Sequence, residues 1–266
     1  AMVVVGAGFI SYFATQLGIP FIFAFIIGII LTGLLGFILE RTFLRPMVGE
    51  PVFSVAVLTI GIDILLRVVL DNWIGINPKY MGDPFPSYGN FGSLNIGGLT
   101  VKYLEVTALI TSLILISILS VFFKRSKYGV AMRATSLDQE AALAQGINVG
   151  RVFGLVWFIA GLLAAFAGFF ITGGFNTLTN TSFISALRAL PAVVIGGLDS
   201  ITGAIIGSLI IGLTQAYVGY YQFDIESAYN IKLGNGFSIV APYLIMFVIL
   251  LVKPHGLFGT EEVERV

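Results

Sequence analysis

The sequence predicts an all-α, polytopic transmembrane helix bundle. Of 266 residues, 57% are hydrophobic and only 11% are charged, and the mean hydropathy is +0.99. An ordinary soluble domain carries about 25% charged residues. Long apolar runs recur along the chain, and backbone groups in lipid must pair within their own segment, which favours helices. Such a composition excludes a soluble enzyme, a disordered chain and a disulfide scaffold.

Five apolar runs reach the length of about 20 helical residues that one bilayer crossing needs. These runs are Pro20–Leu39, Val52–Ile74, Leu104–Phe123, Val152–Gly174 and Ile201–Gln222. Three shorter runs are Met2–Leu17, Ile184–Leu198 and Phe237–Val252. We predict one transmembrane domain over residues 1–266 with about eight crossings, one for each run.

Basic residues orient the bundle, because short cytoplasmic loops retain Lys and Arg. Nine of the 14 Lys and Arg fall on one side when the loop after Leu39, residues 124–151 and the C-terminus are grouped together. Four fall on the other side. We therefore expect residues 124–151 and the C-terminus to be cytoplasmic. This topology requires Ile184–Leu198 to cross, and the alternative is a re-entrant loop there with a different number of helices.

The run Ile184–Leu198 is unusual, because it carries Arg188 and has Pro191 in its middle. Gly196 and Gly197 follow that proline at the end of the run. A broken helix at membrane depth is tolerated where it is buried in protein or lines a wet cavity. Spans interrupted by Gly and Pro also mark substrate pathways in transporters. We predict a discontinuous span, which either lines a pathway or is a kinked structural helix.

Small residues recur four apart in three spans, and such faces let helices approach closely in lipid. The three predicted faces are Gly28, Thr32 and Gly36; Ala160, Ala164 and Gly168; and Ala204, Ser208 and Gly212. These faces predict a tightly packed bundle and say nothing of function.

The run Val52–Ile74 carries paired charges. Thr59, Asp63, Arg67 and Asp71 are spaced by four and form one stripe on a helix. A lone charge at the bilayer centre costs about 2.5–3.5 kcal/mol on insertion scales, so Asp63 and Arg67 should pair and face protein or water. Two hypotheses stay open: a polar wall or gate of a conduit, and a structural ion pair between helices.

No catalytic constellation is present. The sequence lacks a His-Glu-x-x-His pair, a Gly-Lys-Ser/Thr phosphate loop and a Gly-x-Ser-x-Gly elbow. It has no Cys, and its one His lies beyond the last apolar run. The net charge is zero, so no nucleic-acid footprint appears. We expect a protein of the lipid bilayer that is no enzyme and uses no cofactor, metal or nucleic acid.

The longest polar connection on the outer side is Asn77–Tyr103. Its residues 91–101 contain Gly97-Gly98 between two short runs that predict a β-hairpin. This hairpin would cap the bundle or contact an outside partner.

The cytoplasmic segment Tyr128–Asn148 is longer than the other loops on its side. Ser136 followed by Gln139 predicts a capping box, and Gly146 occupies the position of a helix C′ residue. The predicted helix, Leu137–Gln145, is too short to be stable alone in water, so it must dock on something.

Acidic residues 138 and 140 fall in the favourable first turn of this helix. Leu137, Ala141 and Ala144 give it a small apolar face. Docking on the bundle and docking in a socket of a soluble subunit both stay open.

Three motifs resemble the branched-chain amino acid (Liv-type) ABC importer permeases. Tyr128–Asn148, followed by Arg151, is similar to the cytoplasmic loop of that family. Residues 196–204 (Gly-Gly-Leu-Asp-Ser-Ile-Thr-Gly-Ala) resemble its Gly-Gly-x-x-Ser-x-x-Gly turn between two membrane segments. Residues 253–259 (Lys-Pro-His-Gly-Leu-Phe-Gly) resemble its C-terminal tail. Order and spacing agree over essentially the whole chain, and the likeness is closer to the H-type permease than to its M-type partner.

The resemblance implies a permease subunit of an ATP-binding-cassette importer in a prokaryotic plasma (inner) membrane. The implied substrates are branched-chain or other apolar amino acids, moved by alternating access. The implied partners are a second homologous permease, two ATPase subunits and an extracytoplasmic solute-binding protein.

Residues 124–151 would be the coupling loop. The predicted ATPase-coupling residues are Ser136, Leu137, Asp138, Glu140, Ala141, Ala142 and Gly146. The candidate pathway or gate residues are Thr59, Asp63, Arg67, Arg188, Pro191, Gly196 and Gly197.

Family members usually carry a further N-terminal span that ends in a motif like Asn-Phe-Ala-His-Gly. This chain starts where that motif would just have ended, so we expect an N-terminal span to be missing. Two alternatives stay open: an importer of urea or short amides from the same family, and an autonomous channel or secondary carrier gated by Asp63 and Arg67.

Overall fold

A computed structural model describes residues 1–74, 79–82, 93–96, 99–173, 177–179, 187, 189–230, 234 and 236–259. It divides into two compact units, Ala1–Phe183 and Ile184–Val266. In the described residues, five helices are long and apolar enough to cross a membrane, and two shorter apolar helices accompany them. The prediction of an all-α, multi-pass membrane protein is confirmed. The single domain and the number of crossings stay predictions.

The first unit holds seven described helices. They are α1 (Met2–Ser11), α2 (Phe21–Leu39), α3 (Val52–Ile74), α4 (Tyr103–Arg125), α5 (Lys127–Leu137), α6 (Gln139–Ala144) and α7 (Val149–Gly173). Two of them widen into π-helical turns at their C-terminal ends, α1 over Tyr12–Gln16 and α2 over Glu40–Leu44. A 3₁₀ turn, Arg45–Met47, completes the end of α2.

Helices α1, α2 and α7 form the core of the first unit, and glycines let their backbones touch. A Cβ added to Gly36 would lie 2.4 Å from the carbonyl oxygen of Trp157, and one on Gly161 would lie 2.5 Å from that of Thr32. Lipid gives helices no hydrophobic drive to associate, so this close van der Waals packing holds the bundle together. The face of Gly28, Thr32 and Gly36 is buried as predicted.

The predicted small-residue faces of two later spans are partly displaced. In α7 the predicted Gly168 is buried, but Gly161 and Ala165 are buried one residue after the predicted positions, and Ala160 is exposed. A shift of one residue in the other direction occurs in the second unit, where Gly203 and Gly207 are buried and Ser208 and Gly212 are exposed. Small residues stand side by side at these positions, so spacing by four alone does not decide which of them faces a neighbour.

Four short strands accompany the helices of the first unit: β1 (Lys79–Tyr80), β2 (Ser93–Ile96), β3 (Leu99–Lys102) and β4 (Thr177–Leu178). Strands β2 and β3 pair antiparallel, which confirms the predicted hairpin. Strands β1 and β4 also pair antiparallel and join the segment after α3 to the segment after α7.

The second unit contains α8 (Ala189–Gly196), α9 (Ile201–Tyr229) and α10 (Phe237–Val252). The described part of α8 has eight residues, which rise about 12 Å. The predicted discontinuous span stays a prediction. The beginning of that span, with Arg188, lies outside the described residues.

Candidate functional site

Helix α3 carries the predicted polar stripe on a face that little protein covers. Asp63 and Arg67 form the predicted i,i+4 ion pair, and each side chain is 33% exposed. Asp63 also accepts a 2.6 Å hydrogen bond from the backbone nitrogen of Ala1. Thr59 donates to the carbonyl oxygen of Ala56 on its own helix. Thr59 and Asp63 of this stripe line open space within the first unit.

That open space consists of two pockets. The first, of about 430 Å³, lies between the C-terminal end of α2, the loop after it, α3, α7 and Gln139 of α6. The second, of about 260 Å³, lies between α1, α2, α3 and α7 and has Asp63 in its wall. Thr59 and Trp157 line both pockets, so we describe them together as the α3 groove. Of the predicted pathway residues, Thr59 and Asp63 line this groove.

The lining of the α3 groove is mostly apolar. The first pocket is walled by Leu44, Met47, Val55, Phe153 and Trp157 together with the polar groups already named and two glutamates. Ligand sites in proteins combine such apolar walls with a few placed polar groups. The groove therefore suits a small molecule with an apolar portion.

The segment Tyr128–Asn148 contains two helices where one was predicted. Helix α5 ends at Leu137, and α6 begins at Gln139. Asp138 between them is extended and is the N-cap of α6, since its carboxylate accepts a 2.9 Å hydrogen bond from the amide of Ala141. The predicted helix start and the Ser136–Gln139 capping box are wrong. Asp caps a helix as well as Ser does, and the hydroxyl of Ser136 instead donates to the carbonyl oxygen of Arg133 within α5.

The C-terminal end of α6 confirms the predicted C′ glycine. Gly146 has φ +81°, a left-handed conformation that favours glycine. Its amide donates to the carbonyl oxygen of Leu143, and the amide of Ile147 donates to that of Ala142, at 2.9 and 3.0 Å. These two bonds form a Schellman motif, which satisfies carbonyls that a helix end leaves unpaired. Asn148 then caps α7 by accepting from the amide of Arg151.

Helix α6 touches the rest of the chain through one side of its surface. Ala142 is 3% exposed, whereas Leu143 is 58% and the neighbouring Leu137 is 88% exposed. Glu140, Ala141 and Ala144 are exposed too. The predicted apolar face of Leu137, Ala141 and Ala144 therefore lies free on the surface of the described chain.

Two motifs that are far apart in the sequence meet in the second unit. The amide of Leu257 donates to the carbonyl oxygen of Ile195, and that of Phe258 donates to Gly196, at 2.8 and 3.1 Å. The tail thus satisfies the last carbonyls of α8. Gly197 has φ +103°, and a Cβ there would lie 2.5 Å from the amide nitrogen of Gly259.

Three of the predicted gate residues lie in this packed region. Pro191 is fully buried. A Cβ on Gly196 would lie 2.2 Å from the carbonyl of Gly203, so α8 and α9 touch backbone to backbone. The structure gives Pro191, Gly196 and Gly197 a packing role within the second unit, and their part in a gate stays a prediction.

Sequence reasoning missed one buried acidic residue. Glu40 follows the last apolar residue of α2, and its side chain is only 2% exposed. Arg45 donates to both of its carboxylate oxygens, at 3.1 and 3.3 Å, and also to the carbonyl oxygen of Gly150 at 2.7 Å. The sequence did contain a signal, since an acid and a base lie five residues apart just after an apolar span. The π-helical turn brings these two side chains together.

Comparison with known proteins gives a family. A family described as "Branched-chain amino acid transport system / permease component" matches residues 1–252. The high-affinity branched-chain amino acid transport system permease protein BraD of Pseudomonas aeruginosa is 27% identical over 244 residues, covering 91% of this chain and 76% of BraD.

Two further relatives extend the comparison. The corresponding permease protein LivH of Salmonella typhimurium is 30% identical over 248 residues, covering 91% of this chain and 75% of LivH. The ribose import permease protein RbsC of Bacillus subtilis is 31% identical over 178 residues, covering 64% of this chain and 52% of RbsC. No solved structure gives a significant match.

Proposed function

This chain belongs to the family of permease components of branched-chain amino acid transport systems, and from that premise we propose that it is the transmembrane permease subunit of an ATP-binding-cassette importer. It works in a prokaryotic plasma membrane with its C-terminus and residues 124–151 in the cytoplasm. It moves branched-chain or other apolar amino acids inward. The family match over residues 1–252 is the single observation that carries this proposal.

Helix α6 is the proposed contact for an ATPase subunit. Leu137, Glu140, Ala141 and Leu143 are exposed, and small side chains leave room for a partner surface to approach. A six-residue helix is marginal alone in water, but its two capped ends hold it in shape. It can therefore be pushed as a rigid body.

The predicted coupling residues divide by role. Ser136, Leu137, Glu140 and Ala141 lie on the exposed surface and contact the ATPase. Asp138 caps the helix, Ala142 packs it on the first unit, and Gly146 makes the turn into α7. The four exposed residues set the affinity of α6 for the ATPase, and the other three keep α6 rigid.

The α3 groove is the proposed part of the substrate pathway that this subunit contributes. Its apolar lining suits the side chain of an apolar amino acid better than urea or a short amide. In the most apolar stretch of α3 only 11% of the residues are buried, and in that of α4 none are. These exposed faces leave surface for a second homologous permease as well as for lipid. Substrate passes between the two permeases as the bundle alternates between outward-open and inward-open forms.

ATP is bound and hydrolysed by two partner subunits, and an extracytoplasmic binding protein delivers the substrate. A conduit that releases its cargo should bind it weakly, so selectivity resides mainly in the binding protein. The few polar groups of the groove agree with weak binding.

The test is to extract the protein from its native membrane in mild detergent and identify the co-purifying chains by mass spectrometry. We expect two ATPases and a second permease. The complex, placed in vesicles with its binding protein, should take up radiolabelled leucine only when ATP is supplied. If an excess of urea inhibits leucine uptake and an excess of isoleucine does not, the importer of urea or short amides becomes the better proposal. A chain that emerges alone and transports without ATP would overturn the proposal.

A second candidate function, an autonomous carrier gated by Asp63 and Arg67, is favoured by the open position of that ion pair beside the α3 groove. Replacing Asp63 with Asn separates the two. In the importer, Asp63→Asn lowers the yield of folded protein and leaves uptake per folded molecule dependent on ATP. In a carrier, the variant abolishes turnover while folded yield is kept. Asp71→Asn, on the same stripe of α3, is the matched control.

A further inference from the structure

Three groups at one end of the first unit join α2 to α7. They are the carboxylate of Glu40, the guanidinium of Arg45 and the carbonyl oxygen of Gly150, which we call the clasp. Glu40 belongs to the π-helical turn after α2, and Gly150 lies in the first turn of α7. Arg45 bridges the two helices with three hydrogen bonds.

Space for the clasp comes from glycine. A Cβ on Gly154 would lie 3.2 Å from a carboxylate oxygen of Glu40, and one on Gly150 would lie 3.4 Å from the guanidinium carbon of Arg45. A side chain at Gly154 would crowd the carboxylate of Glu40, whereas one at Gly150 would only touch the guanidinium. The glycines of α7 therefore leave room for this pair.

Stability alone does not explain the clasp, because the carboxylate of Glu40 is buried. Glu40 is 2% exposed while Arg45 is 36% exposed, so the carboxylate has lost nearly all its water. Desolvation of a buried ion pair often cancels its attraction, and apolar replacements are often as stable. Breaking such a pair is costly, however, because it leaves one charge unpaired. A clasp of this kind holds two helices in one fixed relation.

The clasp lies next to helix α6. The Schellman turn and the Asn148 cap join α6 to the turn of α7 that contains Gly150. Gln139, the first residue of α6, and Glu40 line the same pocket of about 430 Å³. Movement of α6 therefore reaches the clasp through a few capped residues, and the pocket leaves room for that movement.

We propose that Glu40 and Arg45 are positioning residues that make α2 move together with α7 when α6 is displaced, so that the cytoplasmic end of the α3 groove opens and closes against α3. This inference rests on the proposed function for its role in transport. The fixed distance between α2 and α6 that it requires does not depend on any substrate. Without Arg45, the C-terminal end of α2, beyond the backbone contact of Gly36 with α7, no longer follows α6 and α7.

The absence of Cys from these 266 residues allows a direct test of that relation. Spin labels are attached at Ile38→Cys in α2 and Leu143→Cys in α6, two side chains that are 55% and 58% exposed. The distribution of distances between the labels is measured by double electron–electron resonance in lipid nanodiscs. We expect one narrow peak in the parent and a distribution at least twice as wide with Arg45→Gln.

Arg41→Gln is the matched control, because Arg41 lies four residues earlier and is exposed on the surface. It should keep the narrow peak. A narrow, unshifted peak with Arg45→Gln would overturn the proposal, whether or not the complex transports anything. A broadened peak with Arg45→Gln, together with an unsubstituted complex that takes up no amino acid, would instead overturn the proposed function alone.

The second arm uses the assembled complex in vesicles and measures leucine taken up per ATP hydrolysed. A purely structural anchor would lower uptake and ATP hydrolysis by the same factor. The clasp predicts that Arg45→Gln keeps ATP hydrolysis within about twofold of the parent and reduces leucine per ATP at least tenfold. Glu40→Gln should do the same, and equal losses of both activities in these variants would contradict the role in transmission.

Discussion

The turn after α6 and the glycine-rich cluster of the second unit both depend on glycines with positive φ, yet they use them in opposite ways. Gly146 ends α6 with nothing within 4 Å of an added Cβ, so the glycine serves only the turn. Gly197 ends α8 with an added Cβ 2.5 Å from the amide nitrogen of Gly259. The first region is exposed, while the second is packed against another part of its own unit.

The difference teaches how to interpret motifs of similar composition. A glycine with open space beside it marks a chain reversal that leaves its neighbours on the surface. A glycine without space marks a place where two backbones touch, as in packed membrane helices. The first kind leaves the neighbouring side chains accessible, and the second lets two segments pack backbone to backbone.

The largest effect should come from filling the closed region. Gly203→Ala places a methyl group 2.0 Å from the carbonyl oxygen of Gly196. Overpacking of this kind costs about 1–3 kcal/mol or more, so we expect loss of most folded protein. Yield of monodisperse protein and its thermal unfolding midpoint are the measurements.

Gly212→Ala is the control on the same helix, because nothing lies within 4 Å of its added Cβ. The change should be neutral or stabilise α9 by up to about 1 kcal/mol, since Ala has the higher helix propensity. Equal destabilisation by both substitutions would show that α8 and α9 do not touch at Gly203.

A charge placed on α6 should separate contact from packing. Ala141 is exposed and Ala142 is 3% exposed. We expect Ala141→Glu to keep folded yield and to lower ATP-dependent uptake at least tenfold, equivalent to about 1.4 kcal/mol of lost contact energy. Ala142→Glu should instead lower the folded yield, because it buries an unpaired carboxylate. Uptake that Ala141→Glu leaves unchanged would remove the coupling role of α6.

A smaller effect is expected at Gly146. Ala in a left-handed conformation costs about 1–2 kcal/mol, and open space means that no clash adds to it. The strain acts on the turn after α6 and leaves the exposed surface of α6 in place, so Gly146→Ala should reduce uptake less than Ala141→Glu does. Asn adopts this conformation more readily than Ala, so Gly146→Asn should restore part of the loss. If Ala and Asn behave alike in the uptake assay, the positive φ at this position is not what matters.

Much of the fold followed from hydropathy and local chemistry. The long apolar runs became helices, the i,i+4 spacing placed Asp63 beside Arg67, and Gly146 ended its helix. These are local properties, set by spacing of a few residues. The hairpin of β2 and β3 is local too.

What the sequence did not disclose depends on contacts between distant segments or on competition between equal signals. Ser136 and Asp138 are both good caps, and only the folded chain shows that Asp138 takes the position. Glu40 and Arg45 pair across a π-helical turn, and the spacing of apolar residues does not predict such a turn. The tail reaches the end of α8 through backbone hydrogen bonds, and backbone groups carry no sequence signal.

The central claim is that α6 of this permease contacts an ATPase subunit. The direct measurement is photo-crosslinking with a photoreactive amino acid at Leu143, which is 58% exposed on α6, in cells that make the whole complex. We predict an ultraviolet-dependent adduct whose mass and peptides identify one copy of this chain and one ATPase. The same group at Tyr217, which is 62% exposed on α9, should give no such adduct. Adducts of Leu143 with lipid or with this chain alone, in a complex that still contains the ATPases, would contradict the claim.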